Sequence, residues 1–230
     1  NSKNYASTII TESDNCYILN NHTFNLGANF IAYKTRSIFI EDSLDANKNV
    51  FKKETEYIHT LNKFALFAAY RLNLLDSKLN LNLAARQEFI SQTYIPFTGN
   101  AGTKYQVLKF LALKINGSKS YRQPSLDDLY WPGAGNPDLK PEESYETEGG
   151  IELKLNKTHW SVLFEGNYFD RHTKNWIIWL PSATSGNWMP MNIAEVYSRG
   201  TDTKTELAYA KNDLQIKLIV NTAYVLATNT

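Results

Sequence analysis

Apolar and polar residues alternate one by one along much of the chain. Leu79, Leu81, Leu83 and Ala85 share one side of an extended backbone, and Asn80, Asn82, Arg86 and Glu88 share the other. Leu111, Leu113 and Ile115 oppose Lys114, Asn116 and Ser118, and Ile151, Leu153 and Leu155 oppose Glu148, Glu152 and Lys154. Trp160, Val162 and Phe164 oppose Ser161 and Glu165; Leu207 and Tyr209 oppose Lys204 and Glu206; Leu214, Ile216, Leu218 and Val220 oppose Gln215, Lys217 and Asn221. A period of two predicts strands with one apolar and one polar face. No stretch carries a helical period, so the pattern predicts an all-β, antiparallel chain of ten or eleven strands, each about ten residues long.

The connections alternate in length. Short ones are "NKTH" after Leu155, "KND" after Ala210 and "DSK" near Asp76. Long ones are Tyr94 to Lys104, Ser120 to Gly150 and Trp179 to Glu195. Tyr121, Tyr130, Trp131, Tyr145, Trp160, Tyr168, Trp176 and Trp179 fall near predicted strand ends. Short turns at one end, long loops at the other and aromatic residues at the ends suit a membrane β-barrel. The strand pattern itself fits a soluble sandwich equally well, because only the direction of the apolar face differs.

Composition narrows the classes. Lys+Arg is 24 and Asp+Glu is 23, which argues against nucleic acid as a partner. Cys16 is the single cysteine, which excludes an internal disulfide and a CxxC metal site. The start of the chain has no secretory pattern, and "FALFAAY" (Phe64 to Tyr70) is too short for a membrane helix. Neither fact bears on a barrel, whose strands carry no long apolar run.

Candidate chemistry lies in the loops. The segment "SYRQPSLDDLYWPGAGNPDLKPEESYETEGG" holds Asp127, Asp128, Asp138, Glu142 and Glu143, but no calcium-loop spacing, so loop architecture is the expected role. Asn136 and Lys140 each precede a proline and are held extended, which stiffens the connection. In "IWLPSATSGNWMPMN", Trp179, Trp188, Met189 and Met191 are apolar groups on a long loop; with Trp131 they are the candidate ligand-binding residues. The histidines have no metal-ligand spacing, and His159 and His172 are expected to be solvated. Asp170, Arg171 and His172 have no nucleophile beside them, so no catalytic residue, cofactor or metal is assigned. The charged residues Arg86, Glu88, Lys114, Glu146, Glu148, Glu152 and Lys154 are expected to line a polar wall.

The long loop also carries a family resemblance. Tyr121, Arg122, Pro124 and Ser125, then Gly135, Asn136, Pro137, Leu139, Pro141 and Glu142, then Glu148 and Gly150 resemble the late-barrel signature of TonB-dependent outer-membrane receptors. "NIAEVYSRGTDTKTELAY" resembles the descending strand that follows, with Arg199 and Gly200 in the family's Arg-Gly-x-Glu element and Asp202 in place of the Glu. The resemblance is dense from about Leu113 to Tyr209. It implies a transmembrane barrel of about 22 strands in the Gram-negative outer membrane, of which residues 1–230 would be a part, with the plug and the last strands outside them. It implies uptake of a bulky, scarce nutrient, with the TonB complex reached through the plug, outer-membrane lipids around the barrel and a possible surface lipoprotein. The run from Asn175 to Gly200 looks most like cobalamin-receptor relatives, with ferric-siderophore or haem receptors next. A passive porin or adhesin, and a soluble sandwich that binds carbohydrate through its Trp-bearing loops, are the alternatives from other classes.

Overall fold

A computed structural model describes residues 2–44, 50–90, 93–182, 186–193 and 195–229. The strands are β1 (Ser2–Leu19), β2 (His22–Leu44), β3 (Val50–Leu74), β4 (Leu79–Ile90), β5 (Thr98–Leu108), β6 (Leu111–Arg122), β7 (Glu142–Asn156), β8 (Trp160–Lys174), β9 (Ile177–Pro181), β10 (Trp188–Asn192), β11 (Val196–Lys211) and β12 (Leu214–Asn229). One short helix, α1 (Leu126–Tyr130), lies between β6 and β7. The ten-stranded sheet has the order β1-β2-β3-β4-β5-β6-β7-β8-β11-β12, and β9 and β10 form a separate two-stranded sheet. Paired strands of the large sheet are consecutive in sequence except β8 and β11, between which the β9–β10 hairpin is inserted.

Several expectations are corrected. The Pro-rich loop holds a helix where no helical stretch was expected; one turn is too short to establish a period. The connection from Tyr94 to Lys104 is shorter than the breakers suggested, because β5 begins at Thr98 and its Gly and Asn residues take extended backbone. The segment from Trp179 to Glu195 is largely a hairpin. Strands β2 and β3 run 23 and 25 residues, far beyond ten. The short connections fall where expected: Leu75, Asp76 and Ser77 all take positive φ between β3 and β4, and Asn212 does so between β11 and β12.

The chain divides into two compact units. The first comprises Asn1–Asn15, Leu26–Phe67 and Arg86–Ile95. In it, the buried Glu88 carboxylate is held by Lys63 at 3.1 Å and by Arg86 at 2.7 Å, and Phe64 stacks on Phe89. The second comprises Cys16–Asn25, Ala68–Ala85 and Pro96–Thr230 and contains the loops of interest.

In the second unit the register fixes what each face carries. Ala112 pairs with Glu152 and Lys114 with Gly150 between β6 and β7; Glu152 pairs with Glu165 between β7 and β8; Glu165 pairs with Lys204 between β8 and β11. The same pleat puts Leu113, Ile115, Ile151, Leu155, Val162 and Leu218 on the opposite face. That apolar face is the exposed one: Ile115 is 62% accessible. The polar face is where burial occurs, at Glu152 and at Ala112. A soluble sandwich does the reverse, hiding its apolar face between two sheets. An exposed apolar face backed by a polar one is the arrangement lipid demands.

The polar face satisfies its charges diagonally. Lys104 lies directly opposite Lys114, and Glu152 directly opposite Glu165, two like-charge pairs that would destabilise the sheet if left alone. Lys104 instead reaches across β6 to Glu152 at 2.7 and 2.8 Å, and Lys114 reaches across β7 to Glu165 at 3.2 Å. Small residues lie on the crossed strands, Ala112 on β6 and Gly150 on β7. A Cβ built on Gly150 would stand 2.1 Å from Asn167 Oδ1 and 2.9 Å from the Gly166 carbonyl, so a larger residue has no place there.

Candidate ligand site

The loop from Gln123 to Pro141 is organised from its own sequence. Ser125 caps α1: its hydroxyl accepts the Asp128 N–H at 3.0 Å, and the Asp128 carboxylate accepts the Ser125 N–H at 2.9 Å. The Asp128 carbonyl then accepts the Asn136 N–H at 2.8 Å, turning the chain back past Trp131. Asn136 Oδ1 accepts the Asp138 N–H at 3.1 Å, a local side-chain turn. Pro124, Leu139 and Pro141 are buried and Pro137 is exposed.

Glu142, the first residue of β7, is only 5% accessible. Arg122, the last residue of β6, grips it through two bonds, Nε to Oε2 at 2.8 Å and Nη2 to Oε1 at 2.5 Å. The forked geometry suits a carboxylate. Oε1 also accepts the N–H of Ile177 at 2.8 Å, so one carboxylate joins the ends of β6 and β7 to the base of the β9–β10 hairpin.

Further bonds dock the hairpin on the loop. Trp179 Nε1–H donates to Asp128 Oδ1 at 2.9 Å, and Asn136 Nδ2 donates to the Pro190 carbonyl at 3.1 Å. Asn192 Oδ1 accepts the Lys140 N–H at 2.8 Å, while its Nδ2 donates to the Lys140 carbonyl at 3.0 Å and to the Asn175 carbonyl at 2.7 Å. Asn175 takes a positive φ of 55° where the chain leaves β8. Pro190 is fully buried, and Leu139, Ile177 and Val196 are among the buried apolar residues. Burial raises the pKa of the Asp128 carboxyl, but Ser125, the Trp179 indole and Arg122 together outweigh it and hold the group below its ordinary value.

The candidate residues therefore separate into two sets. Arg122, Asn136 and Glu142 bond within the joint between loop and hairpin, with Pro124, Leu139 and Pro141 buried along the loop and Pro137 at its surface. Trp179 is half-buried with its indole N–H engaged. Trp188, Met191 and Trp131 are exposed, at 59%, 45% and 50%, and Met189 is half-buried. In the hairpin, Trp179 pairs with Pro190 on one face, and Met189 pairs with Leu180 and Met191 with Ile178 on the other. Arg199 and Gly200 lie apart, on β11. Gly200 is buried, and a Cβ there would stand 2.2 Å from the Tyr224 carbonyl and 3.0 Å from the Phe169 ring; Arg199 is exposed opposite Asp170.

Two residues in the joint were not singled out from sequence as joining loops. Asp128 could have been found, since Ser125 three residues ahead of it has cap spacing. Asn192 has no local signal, because its partners are 52 and 17 residues away. His172 corrects an expectation of solvation: its ring stacks on Tyr197 at 4.2 Å and 4°, and its Nε2 lies 2.7 Å from Glu195 Oε2. That bond, with Lys174 and Tyr197 nearby, holds the Glu195 carboxyl below its ordinary value. Among the described residues, no group of His, Cys, Asp and Glu could hold a metal ion.

Known proteins match both the sequence and the strand arrangement. The chain is 33% identical over 108 residues to a vitamin B12 transporter BtuB of Photobacterium profundum, a stretch covering 46% of this chain and 17% of that one. It is 30% identical over 105 residues to a vitamin B12 transporter BtuB of Vibrio vulnificus, covering 46% and 16%. The match thus spans about a sixth of the length of these curated relatives. Among solved structures, the copper transporter OprC superposes with a TM-score of 0.76 at 11% identity, over 100% of this chain and 39% of that one. The siderophore receptor PirA from Pseudomonas aeruginosa superposes with a TM-score of 0.67 at 16% identity, over 99% and 44%. At those identities the likeness concerns fold alone. The family model for the TonB dependent receptor-like β-barrel matches residues 2–230, and the chain belongs to that family.

Proposed function

We propose that this chain forms part of an outer-membrane receptor for TonB-driven uptake of a bulky, scarce nutrient, and that the nutrient is cobalamin. The observation that carries the ligand is the identity to two vitamin B12 transporters over nearly half of the chain. The fold agrees with the setting: an apolar face made for lipid, a polar face made for a wet interior, and long connections at one end. A receptor of this kind makes and breaks no bond, so its side chains act by contact and position.

Trp131, Trp188, Met189 and Met191 supply the contact surface in this reading. Trp179 serves from beneath, its ring holding the hairpin through Asp128. Large apolar side chains on a braced loop lose little freedom when a ligand arrives, which favours affinity. A plug outside these residues would connect the receptor to the TonB complex, and a surface lipoprotein could sit over the loops.

The test uses the intact receptor in detergent, titrated with cyanocobalamin and separately with several ferric siderophores. Saturable cobalamin binding, weakened at least tenfold by Trp188→Ala combined with Met191→Ala, is expected. Siderophore binding without cobalamin binding would move the receptor to the siderophore class, and binding of neither would remove the nutrient reading.

A further inference from the structure

Asn192 behaves as a strand residue would, although it bonds through its side chain. An antiparallel neighbour offers Lys140 one acceptor and one donor; the Asn192 carboxamide offers both, at 2.8 and 3.0 Å. Lys140 is presented for this because Pro141 holds it extended. The second Nδ2 hydrogen reaches the Asn175 carbonyl, so one side chain holds the end of β10, the exit from β8 and the loop before β7.

Three other ties run between the same two bodies. They are Trp179 to Asp128, Asn136 to the Pro190 carbonyl, and Ile177 to Glu142. Each involves a half-buried or buried polar group, and separating the loops would break all three ties together. The ties are also spread out. Trp179 and Pro190 face each other midway along the hairpin, and Ile177 and Asn192 form its base. A hairpin pinned at its middle and its base has little freedom to swing independently of the surface that pins it.

We propose that the β6–β7 loop and the β9–β10 hairpin form one latched body, with Asn192 as the latch, so that neither opens without the other. Access to the exposed hairpin face is then set by a joint movement of both segments. This does not depend on which ligand binds.

Hydrogen exchange on the ligand-free intact receptor tests it, comparing the natural protein with Asn192→Ala. Heat-modifiable migration of both proteins checks that each barrel is assembled. Exchange is expected to quicken roughly tenfold in both 126–141 and 177–193, as fits the loss of bonds to buried groups. Asn192→Asp, which keeps the acceptor but turns a carboxylate oxygen toward the Lys140 and Asn175 carbonyls, should give at least as large a rise in the same two segments, and it substitutes for Asn192→Ala if that barrel does not assemble. Quickening confined to 177–193 would overturn the latch, as would unchanged exchange in both segments.

Discussion

Glu152 on the polar wall and Glu142 in the clasped loops are both buried carboxylates, yet they are served differently. Glu152 has two flexible cations, Lys104 and Lys154, each at 2.7 Å. Glu142 has one rigid cation and one main-chain N–H, both aimed at fixed oxygens. Lysines can be redistributed along a wall of alternating charge. A fork and an amide cannot, because their geometry depends on where three chain segments end. The wall is therefore tolerant of losing a charge and intolerant of a change in backbone spacing, while the loops are sensitive to single polar side chains.

The largest effect should come from crowding the sheet. Gly200→Val puts side-chain atoms where the Tyr224 carbonyl and the Phe169 ring now are, and about 3 kcal/mol or more of lost stability is expected. Thermal unfolding of the refolded receptor in detergent should show a lower transition or a failure to assemble; a natural transition temperature would refute the close packing of β8, β11 and β12.

Next is the fork. Arg122→Ala leaves Glu142 buried with only the Ile177 amide, at a local cost of roughly 2–3 kcal/mol. Limited proteolysis should then cut between β6 and β7 far faster, with the global transition little changed.

Acid should loosen the joint between loop and hairpin. The folded Asp128 carboxyl lies below its ordinary value of 3.8. Its contribution is fully present above that value and is lost as pH falls through the depressed folded pKa. Loop exchange, corrected for its intrinsic pH dependence, should rise from pH 5 to pH 3, and Asp128→Asn should show the looser state at both.

The smallest effect belongs to the wall. Lys104→Met leaves the buried Glu152 with Lys154 as its remaining cation, so a loss smaller than that for an unpaired buried charge is expected in the same melting measurement. A loss of about 2–3 kcal/mol, the local cost expected of Arg122→Ala, would erase the distinction between the two regions.

How much of this was legible in the sequence follows from distance along the chain. Strands β4, β6, β7, β8, β11 and β12 show in the period of two because each strand's faces are set by its own residues. The direction of the apolar face is not written locally. It became clear when Ile115 proved exposed and Glu152 buried. The diagonal bonds Lys104–Glu152 and Lys114–Glu165 needed the register, which no single strand contains. In the loops, the prolines at 137 and 141 announced stiffness, and Ser125 with Asp128 had cap spacing. The partner of that stiffness, Asn192, was invisible because it acts 52 residues away. Trp179 and Trp188 look alike in sequence, and only the Asp128 carboxylate separates a ring that holds the hairpin from one that faces out.

A double-mutant cycle between Trp179→Phe and Asp128→Ala tests the clasp most directly. Phe keeps the ring and removes the donor; Ala removes the acceptor. With loop opening in the intact receptor read by hydrogen exchange, a coupling of about 1–2 kcal/mol is expected for a bond to a charged acceptor. Additive effects, with no coupling, would contradict a clasp between the loop and the hairpin.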